Sequence, residues 1–222
     1  LQSLAANYDS LYVRKAPHMY GWDIMPRALS AGLWRPVAVE FRPVERLEQF
    51  YVETQDIAPD HSRATLAAHF DATLTGTPAD VYEIRLTGIC GLSTFDYRQR
   101  VLFQAGSLRF TVEQPRLWWP RGRGEAALYA CRASLIKNGR EIDSRNFRLG
   151  IRTVALDRTS VTDSEGKGEF CFRVNGEKVF VLGTNWVPVD AYHSRDAARI
   201  PAIMEMVQDL GINMIRCWGG NV

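Results

Sequence analysis

Long hydrophobic runs, histidine and cysteine are scarce in this chain of 222 residues, and its charges nearly cancel. No apolar run approaches the ~20 residues that a membrane helix needs, so we expect no membrane partner. The formal net charge is only +2 and no basic stretch occurs, so we expect no nucleic-acid partner. The chain begins without Met or an export signal, so we expect a truncated or processed chain and leave its localisation open.

The few metal-binding and nucleophilic side chains lack the spacing of a known centre. The four histidines are scattered, and no Gly-rich phosphate loop follows a strand, so we expect no metal and no cofactor. The cysteines are Cys90, Cys131, Cys171 and Cys217. They are expected to be buried free thiols in or beside strands. The alternative is one disulfide within the sandwich.

Residues 45–158 carry short runs in which apolar and polar residues alternate. Leu66, Ala68, Phe70, Ala72 and Leu74 share one face of such a run, and similar runs start at Tyr82, Leu108 and Tyr129. Alternation predicts strands with one buried face. The pair Asn138-Gly139 predicts a two-residue hairpin turn. About seven or eight such strands predict an antiparallel β-sandwich of immunoglobulin-like type.

The pattern changes after residue 158. Asn175-Gly176 predicts a hairpin between Phe170–Val174 and Val179–Leu182. The second of these strands is continuously apolar, which is typical of a strand that is covered on both faces. A long loop from Gly183 to about Arg199 is predicted to follow.

A helix and another strand complete the segment. The helix is predicted from an apolar stripe, with Pro201 in its first turn and Gly211 at its end. Ile212–Trp218 is predicted to form the next strand. Strand, helix and strand make one βαβ unit, whereas a (β/α)8 barrel takes about 250 residues. The unit is therefore either a small appendage to the sandwich or the start of a truncated barrel, and the end of the chain soon after Gly219-Gly220 favours the truncated barrel. The helical stripe consists of Ile200, Ile203, Met204, Val207 and Leu210.

Candidate site residues follow the two predicted barrel strands. Active sites of such barrels lie at the carboxyl ends of the strands. Indole rings can pack on the C–H face of a sugar, and Asn, Asp and Arg can bind its hydroxyls. The alternative is that the tryptophans pack and Arg216 forms a structural ion pair. The candidates are Asn185, Trp186 and Asp190 after the first strand, and Arg216 and Trp218 at the end of the second.

Two further aromatic clusters stand out. Trp22 and Asp23 follow Gly21 in a loop and could present a ring and a carboxylate to a ligand, or simply anchor packing. In Leu117-Trp118-Trp119-Pro120 the adjacent tryptophans point opposite ways on an extended chain, so we expect domain packing. The first 42 residues also contain a strand-like run, Pro36–Phe41.

Together these motifs resemble the β-mannosidases of glycoside hydrolase family 2, in family order along the chain. The motifs are Tyr20-Gly21-Trp22-Asp23, Ala31–Val37, Leu117–Pro120, Phe147–Thr153, Val174-Asn175-Gly176, Gly183–Ala191 and Asn213–Gly220. The resemblance implies the end of a jelly-roll sugar-binding domain at 1–44, an immunoglobulin-like sandwich at 45–158 and the start of a catalytic barrel at 159–222.

The resemblance also implies a retaining, exo-acting glycosidase that cleaves terminal β-mannosides. Such enzymes use two carboxylates about 5–5.5 Å apart. In the family both are Glu on later barrel strands, so we assign no catalytic residue and expect an inactive fragment. Trp22, Asp23 and Trp218 match residues that line the terminal-sugar site. An exo-β-glucosaminidase or β-galactosidase-like enzyme, or a non-catalytic carbohydrate-binding module, stays an alternative, and the oligomeric state is open.

Overall fold

The computed structural model describes residues 15–21, 25–33, 35–159, 165 and 168–219. Over these residues the fold is mainly β, with one α-helix and one short 3-10 helix. The described residues up to Val39 and from Val181 onward form one compact unit, and Glu40–Phe180 forms a second. No helix within the described ranges is long and apolar enough to cross a membrane.

The elements follow one another along the described residues as a 3-10 helix, ten strands, a parallel strand, one α-helix and a last strand. The 3-10 helix is Pro17–Tyr20; the strands are β1 (Arg46–Ile57), β2 (Arg63–Thr73), β3 (Tyr82–Cys90), β4 (Ser93–Val101), β5 (Ala105–Glu113), β6 (Tyr129–Lys137), β7 (Arg140–Leu149), β8 (Val154–Arg158), β9 (Phe170–Val174), β10 (Glu177–Val179), β11 (Gly183–Trp186) and β12 (Met214–Cys217); the helix is α1 (Asp196–Asp209).

Two antiparallel sheets face each other across one hydrophobic core in the larger unit. One sheet has the strand order β1-β2-β5 and the other β4-β3-β6-β7. The alternating runs bury the faces that their pattern predicts, as Leu66, Ile84 and Leu135 show with at most 1% exposure each. The predicted hairpin turn is confirmed, since Asn138 and Gly139 both have positive φ.

Aromatic rings fill the space between the sheets. Phe95 on β4 lies 5.2 Å from Phe110 on β5 and 5.6 Å from Tyr129 on β6, centroid to centroid. Gly88 on β3 makes room for the Phe95 ring, because a Cβ there would lie 2.2 Å from its Cζ atom. Close packing of the core therefore requires glycine at position 88 as well as the large aromatic side chains.

The sheet edges are joined by polar side chains. Asp143 accepts a hydrogen bond from the Leu47 amide at 2.8 Å, and Arg145 donates to the carbonyls of Leu47 and Glu48. These bonds tie β7 of one sheet to the start of β1 in the other. They satisfy backbone groups that an edge strand otherwise leaves open.

A third sheet, β10-β9-β8, belongs to the same unit. Its hairpin turn, Asn175-Gly176, is confirmed by φ values of 52° and 83°. The buried Asn175 side chain accepts from the Thr153 amide and donates to the Trp118 carbonyl, each at 3.0 Å. The motif Leu117–Pro120 thus takes part in packing, as expected: Arg152 stacks over Trp118 at 4.6 Å.

Three sequence predictions are wrong in this respect: one strand, the extent of a second strand and the start of a loop. Pro36–Phe41 forms no strand, because no described strand pairs with its backbone. The apolar run Val179–Leu182 is divided: Val179 pairs with Phe172 in the hairpin, and a new strand starts at Gly183, within the predicted loop. Phe180 and Leu182 are 77% and 51% exposed, so they are not covered on both faces here.

The smaller unit contains the predicted βαβ connection. Strands β11 and β12 pair in parallel, with α1 between them. The helix starts at Asp196, four residues before the apolar stripe, so Pro201 lies in its second turn and not in its first. No residue of α1 is buried among the described residues, and the apolar stripe is only half-covered at Ile203, Met204 and Val207.

Candidate functional site

The carboxyl ends of β11 and β12 bring four of the predicted site residues together. Asn185 is the register partner of Arg216, and Trp186 that of Cys217. The Arg216 Nη1 atom lies 3.5 Å from the Asn185 Oδ1 atom, at the long limit of a hydrogen bond. The Trp218 amide donates to the Trp186 carbonyl at 3.0 Å. The strands thus align an amide, a guanidinium and two indoles on one edge.

Exposure divides these four residues into two kinds. Asn185 and Arg216 are exposed, while Trp186 and Trp218 are half-buried. Exposed amide and guanidinium groups can bind hydroxyls, and a partly covered indole offers one apolar face. The neighbouring Cys217 is exposed too, contrary to the expectation of buried thiols; Cys90 and Cys131 are buried and Cys171 is half-buried. All four cysteines are free, which settles the disulfide alternative.

The start of each strand is fixed by Asn213. Its backbone amide donates to the Leu182 carbonyl at 2.8 Å, and its side-chain oxygen accepts from the Leu182 amide at 3.0 Å. These two bonds lie immediately before the parallel pair. They set the register that places Asn185 beside Arg216.

Asp190 occupies a different environment. It is 6% exposed, and its carboxylate accepts a hydrogen bond from Arg195 Nε at 2.8 Å. That hydrogen bond, with help from the Tyr192 amide and the charge of Arg199, holds the pKa of Asp190 below its ordinary value. The carboxylate is therefore ionised and engaged within its own loop. In this structure it orders the loop, whereas Asn185 and Arg216 are presented to solvent.

Trp22 and Asp23 lie outside the described residues, and buried residues occur on both sides of them in the chain. Met19, Tyr20 and Ala28 are buried, and the Met19 carbonyl accepts from the Ala28 amide at 3.0 Å. The Arg27 guanidinium lies 5.8 Å from the Tyr20 ring centre. This hydrogen bond places Met19 and Ala28 beside each other within the smaller unit.

Sequence reasoning missed a buried histidine contact in this unit. The rings of His18 and His193 meet edge to face, with centroids 4.7 Å apart at 81°. His193 Nδ1 lies 2.6 Å from Asp196 Oδ2. The two histidines are far apart along the chain and have no ligand spacing, so no pattern in the sequence could have paired them. Their closeness follows only from the fold.

One group of possible metal ligands occurs among the described residues, on β8 and β9. Ligand atoms of Asp157, Glu169 and Cys171 lie within 4.8 Å of one another. Asp157 already pairs with Arg173 at 2.9 Å, and Glu169 pairs with Lys178. These cations neutralise both carboxylates, so the group is accounted for as an ion-pair cluster.

Comparison with known proteins identifies relatives along nearly the whole chain. Residues 46–152 match the model of the family described as Glycosyl hydrolases family 2. β-Mannosidase B of Aspergillus clavatus is 34% identical over 95% of this chain, which spans 24% of that protein. The corresponding protein of Aspergillus flavus is 35% identical over 94% of this chain and is matched over 24% of its length. The chain thus spans about a quarter of these curated relatives.

Solved structures agree with these relatives. The β-D-mannosidase of Dictyoglomus thermophilum superposes with a TM-score of 0.81 at 28% identity, covering 94% of this chain and 26% of that one. The exo-chitosanase of Amycolatopsis orientalis has a TM-score of 0.58 at 18% identity, over 81% of this chain and 20% of its own, and shows the fold alone. The resemblance that the motifs predicted is confirmed: the chain is similar to β-mannosidases along nearly its whole length, and its residues 46–152 match the Glycosyl hydrolases family 2 model.

Proposed function

We propose that this chain supplies part of the sugar-recognition wall of a retaining, exo-acting glycoside hydrolase that cleaves terminal β-mannosides. One observation carries the proposal: the chain is 34% identical to a β-mannosidase B over 95% of its length. The strand-end cluster of Asn185, Trp186, Arg216 and Trp218 supports it, because Asn185 and Arg216 adjoin each other at the carboxyl ends of parallel strands, where a barrel enzyme binds its substrate.

The proposal includes a division into three segments: residues 1–44 end a jelly-roll domain, residues 45–158 form an immunoglobulin-like sandwich, and residues 159–222 begin a (β/α)8 barrel. The two facing sheets, of three and four strands, support the second segment. The parallel pair β11 and β12, connected through α1, supports the third. These three segments differ from the two compact units described above, which are divided near residues 40 and 180.

Each site residue has a defined part in the proposal. Asn185 and Arg216 bind sugar hydroxyls, and the half-buried Trp218 packs against the C–H face of the ring. Trp22 and Asp23 contact the same sugar, as the family resemblance implies. Trp186 supports the end of β11, and Asp190 holds the loop that follows. The proposal assigns no acid/base and no nucleophile to any of the 222 residues.

Binding to simple glycosides tests the proposal directly. We would titrate the chain with methyl β-D-mannoside, methyl β-D-galactoside and methyl β-D-glucosaminide and follow amide shifts by NMR. The expected result is preferential binding of the mannoside with a Kd of about 1 mM, which corresponds to about −4 kcal/mol. A preference for the glucosaminide or the galactoside would favour the alternative enzymes.

Variants locate the binding. Arg216→Ala and Asn185→Ala are expected to abolish the mannoside-dependent shifts, because they remove the exposed polar groups at the strand ends. Arg116→Ala is the matched control: it removes an exposed arginine that pairs with Glu125 on the larger unit. No response to any glycoside, or an equal loss in the control, would refute the proposed sugar wall.

A further inference from the structure

The loop between β11 and α1 contains a buried side chain on an unusual backbone. His193 has a φ of 60°, in the left-handed region that residues other than glycine seldom adopt. Its side chain is nevertheless directed inward and is 11% exposed. Such backbone conformations persist only where the surroundings determine them strongly. Contacts of the His193 side chain must therefore offset the cost of the turn.

Three described contacts hold this turn. His193 Nδ1 lies 2.6 Å from Asp196 Oδ2 in the first turn of α1. The His193 ring meets the ring of His18, which is 1% exposed. The His193 amide lies 3.4 Å from the carbonyl of Asp190. The turn thus joins the helix, the 3-10 helix and the residue whose carboxylate binds Arg195.

We propose that His193 and His18 are positioning residues for the strand-end cluster: their ring contact docks the loop of residues 187–195 and so fixes Trp186 and Asn185 at the end of β11. The loop is short and internally bonded, because Asp190 binds Arg195 at 2.8 Å. Together with the bond from the His193 amide to the Asp190 carbonyl, this contact links His193 to the chain that leaves β11, so an anchor at His193 restrains the residues before it. This inference rests on the proposed function, because the residues that the two histidines position belong to the proposed sugar site.

Four substitutions separate the contributions of ring, hydrogen bond and backbone. His18→Ala removes the ring contact, while His18→Phe keeps an aromatic edge of similar size. His193→Asn tolerates the left-handed backbone and can still donate to Asp196, but it lacks the ring. His193→Gly relieves the backbone and removes both side-chain contacts. If the ring contact positions the loop, His18→Ala and His193→Asn have the same effect and His18→Phe has none.

The readout is ¹⁹F NMR of the 222-residue chain labelled with 5-fluorotryptophan, with signals assigned through Trp186→Phe and Trp119→Phe. Trp186 lies next to the loop, and Trp119 packs against the core of the larger unit. In His18→Ala and His193→Asn we expect the Trp186 signal to shift and broaden while the Trp119 signal stays unchanged. In His18→Phe we expect the wild-type Trp186 signal.

The same variants are titrated with methyl β-D-mannoside. We expect His18→Ala and His193→Asn to weaken binding about tenfold and His18→Phe to restore it, a coupling of ordinary size. An unchanged Trp186 signal in both ring-removing variants, or failure of His18→Phe to restore it, would overturn the positioning role. If His18→Ala perturbs Trp119 as well, the His193→Asn spectrum decides. Failure of the wild-type chain to bind any glycoside counts against the proposed function alone, because the fluorine spectra still test the contact.

Discussion

Asn175 binds Trp118 through a side chain that is itself held in a tight turn: its Nδ2 atom donates to the Trp118 carbonyl at 3.0 Å. The same amide accepts from Thr153 at 3.0 Å, and the Asn175 carbonyl lies 3.2 Å from Nε2 of His61. Asn175 therefore joins the third sheet to the two-sheet core. A residue that the sequence marks only as a turn former is also a packing residue.

Asn175→Ala should lower the free energy of unfolding of the larger unit by about 2–4 kcal/mol, because it leaves two half-buried backbone groups without these partners. Asn175→Gly isolates the hydrogen bonds, since glycine accepts the φ of 52° without strain. Urea unfolding followed by circular dichroism measures both. If the glycine variant is as stable as the wild type, the side-chain bonds contribute nothing and the turn conformation alone explains the residue.

Glu45 should make the larger unit sensitive to acid. The hydroxyl of Tyr82, then Lys137 and the Thr75 amide, bind its carboxylate and lower the pKa of Glu45 from 4.5 to about 2. A carboxyl whose folded pKa is depressed stabilises the fold above its unfolded pKa and loses that contribution as the pH falls through the folded value. The contribution should therefore be complete above about pH 5 and disappear toward pH 2.

Glu45→Gln should consequently be less stable than the wild type at pH 7, with the difference shrinking between pH 5 and pH 2. Glu125→Gln is the control, because Glu125 forms an ion pair with Arg116 and its side chain is 66% exposed. Urea unfolding at a series of pH values gives the comparison. Parallel stability curves for Glu45→Gln and the wild type would show that this carboxylate does not drive the acid response.

Gly88→Ala should destabilise the core by about 1–3 kcal/mol, as overpacking usually does. The new methyl would overlap the Phe95 ring, which is 7% exposed and packs against Phe110 and Tyr129. Thr87→Ala changes the preceding residue, whose side chain lies on the outer face of β3; it serves as the matched change and should be nearly neutral. Thermal unfolding of both variants decides; a Gly88→Ala melting temperature equal to the wild-type value would mean that the ring can move aside at no cost.

The chain of 222 residues should release no p-nitrophenol from p-nitrophenyl β-D-mannoside. Retaining hydrolysis needs a pair of carboxylates about 5–5.5 Å apart. Asp190 in the loop after β11 and Asp196 at the start of α1 are already bound to Arg195 and His193, respectively. Absorbance of the released product measures turnover, with Asp190→Asn as a check for contaminating enzyme. Turnover that persists through purification and is lost in Asp190→Asn would contradict the assignment.

Local patterns predicted the parts of the fold that depend on neighbours along the chain. The inward faces of β2, β3, β5 and β6 follow from alternation, and the turns at Asn138 and Asn175 follow from the Asn-Gly pairs that tolerate positive φ. The site residues on β11 and β12 were likewise placed beside one another, because consecutive parallel strands share an edge.

Long-range pairing set the limits of that prediction. The run Val179–Leu182 reads as one strand because it is apolar, but hydrophobicity does not say which partner each residue has: Val179 pairs with Phe172, whereas the strand from Gly183 pairs with Met214. The contact between His18 and His193 is another example, because it needs two distant segments to meet. Contacts of this kind can be identified only from the folded chain.

Because the cysteines differ in burial, one accessible thiol lies beside the strand-end cluster and can be labelled selectively. Burial raises the pKa of the Cys131 thiol to about 12, so at neutral pH it holds almost no thiolate, the form that reacts with maleimides. Cys217 is exposed and directly precedes Trp218. A fluorescent dye should therefore attach first beside the proposed sugar wall, without any engineered residue, and report on ligands that approach it.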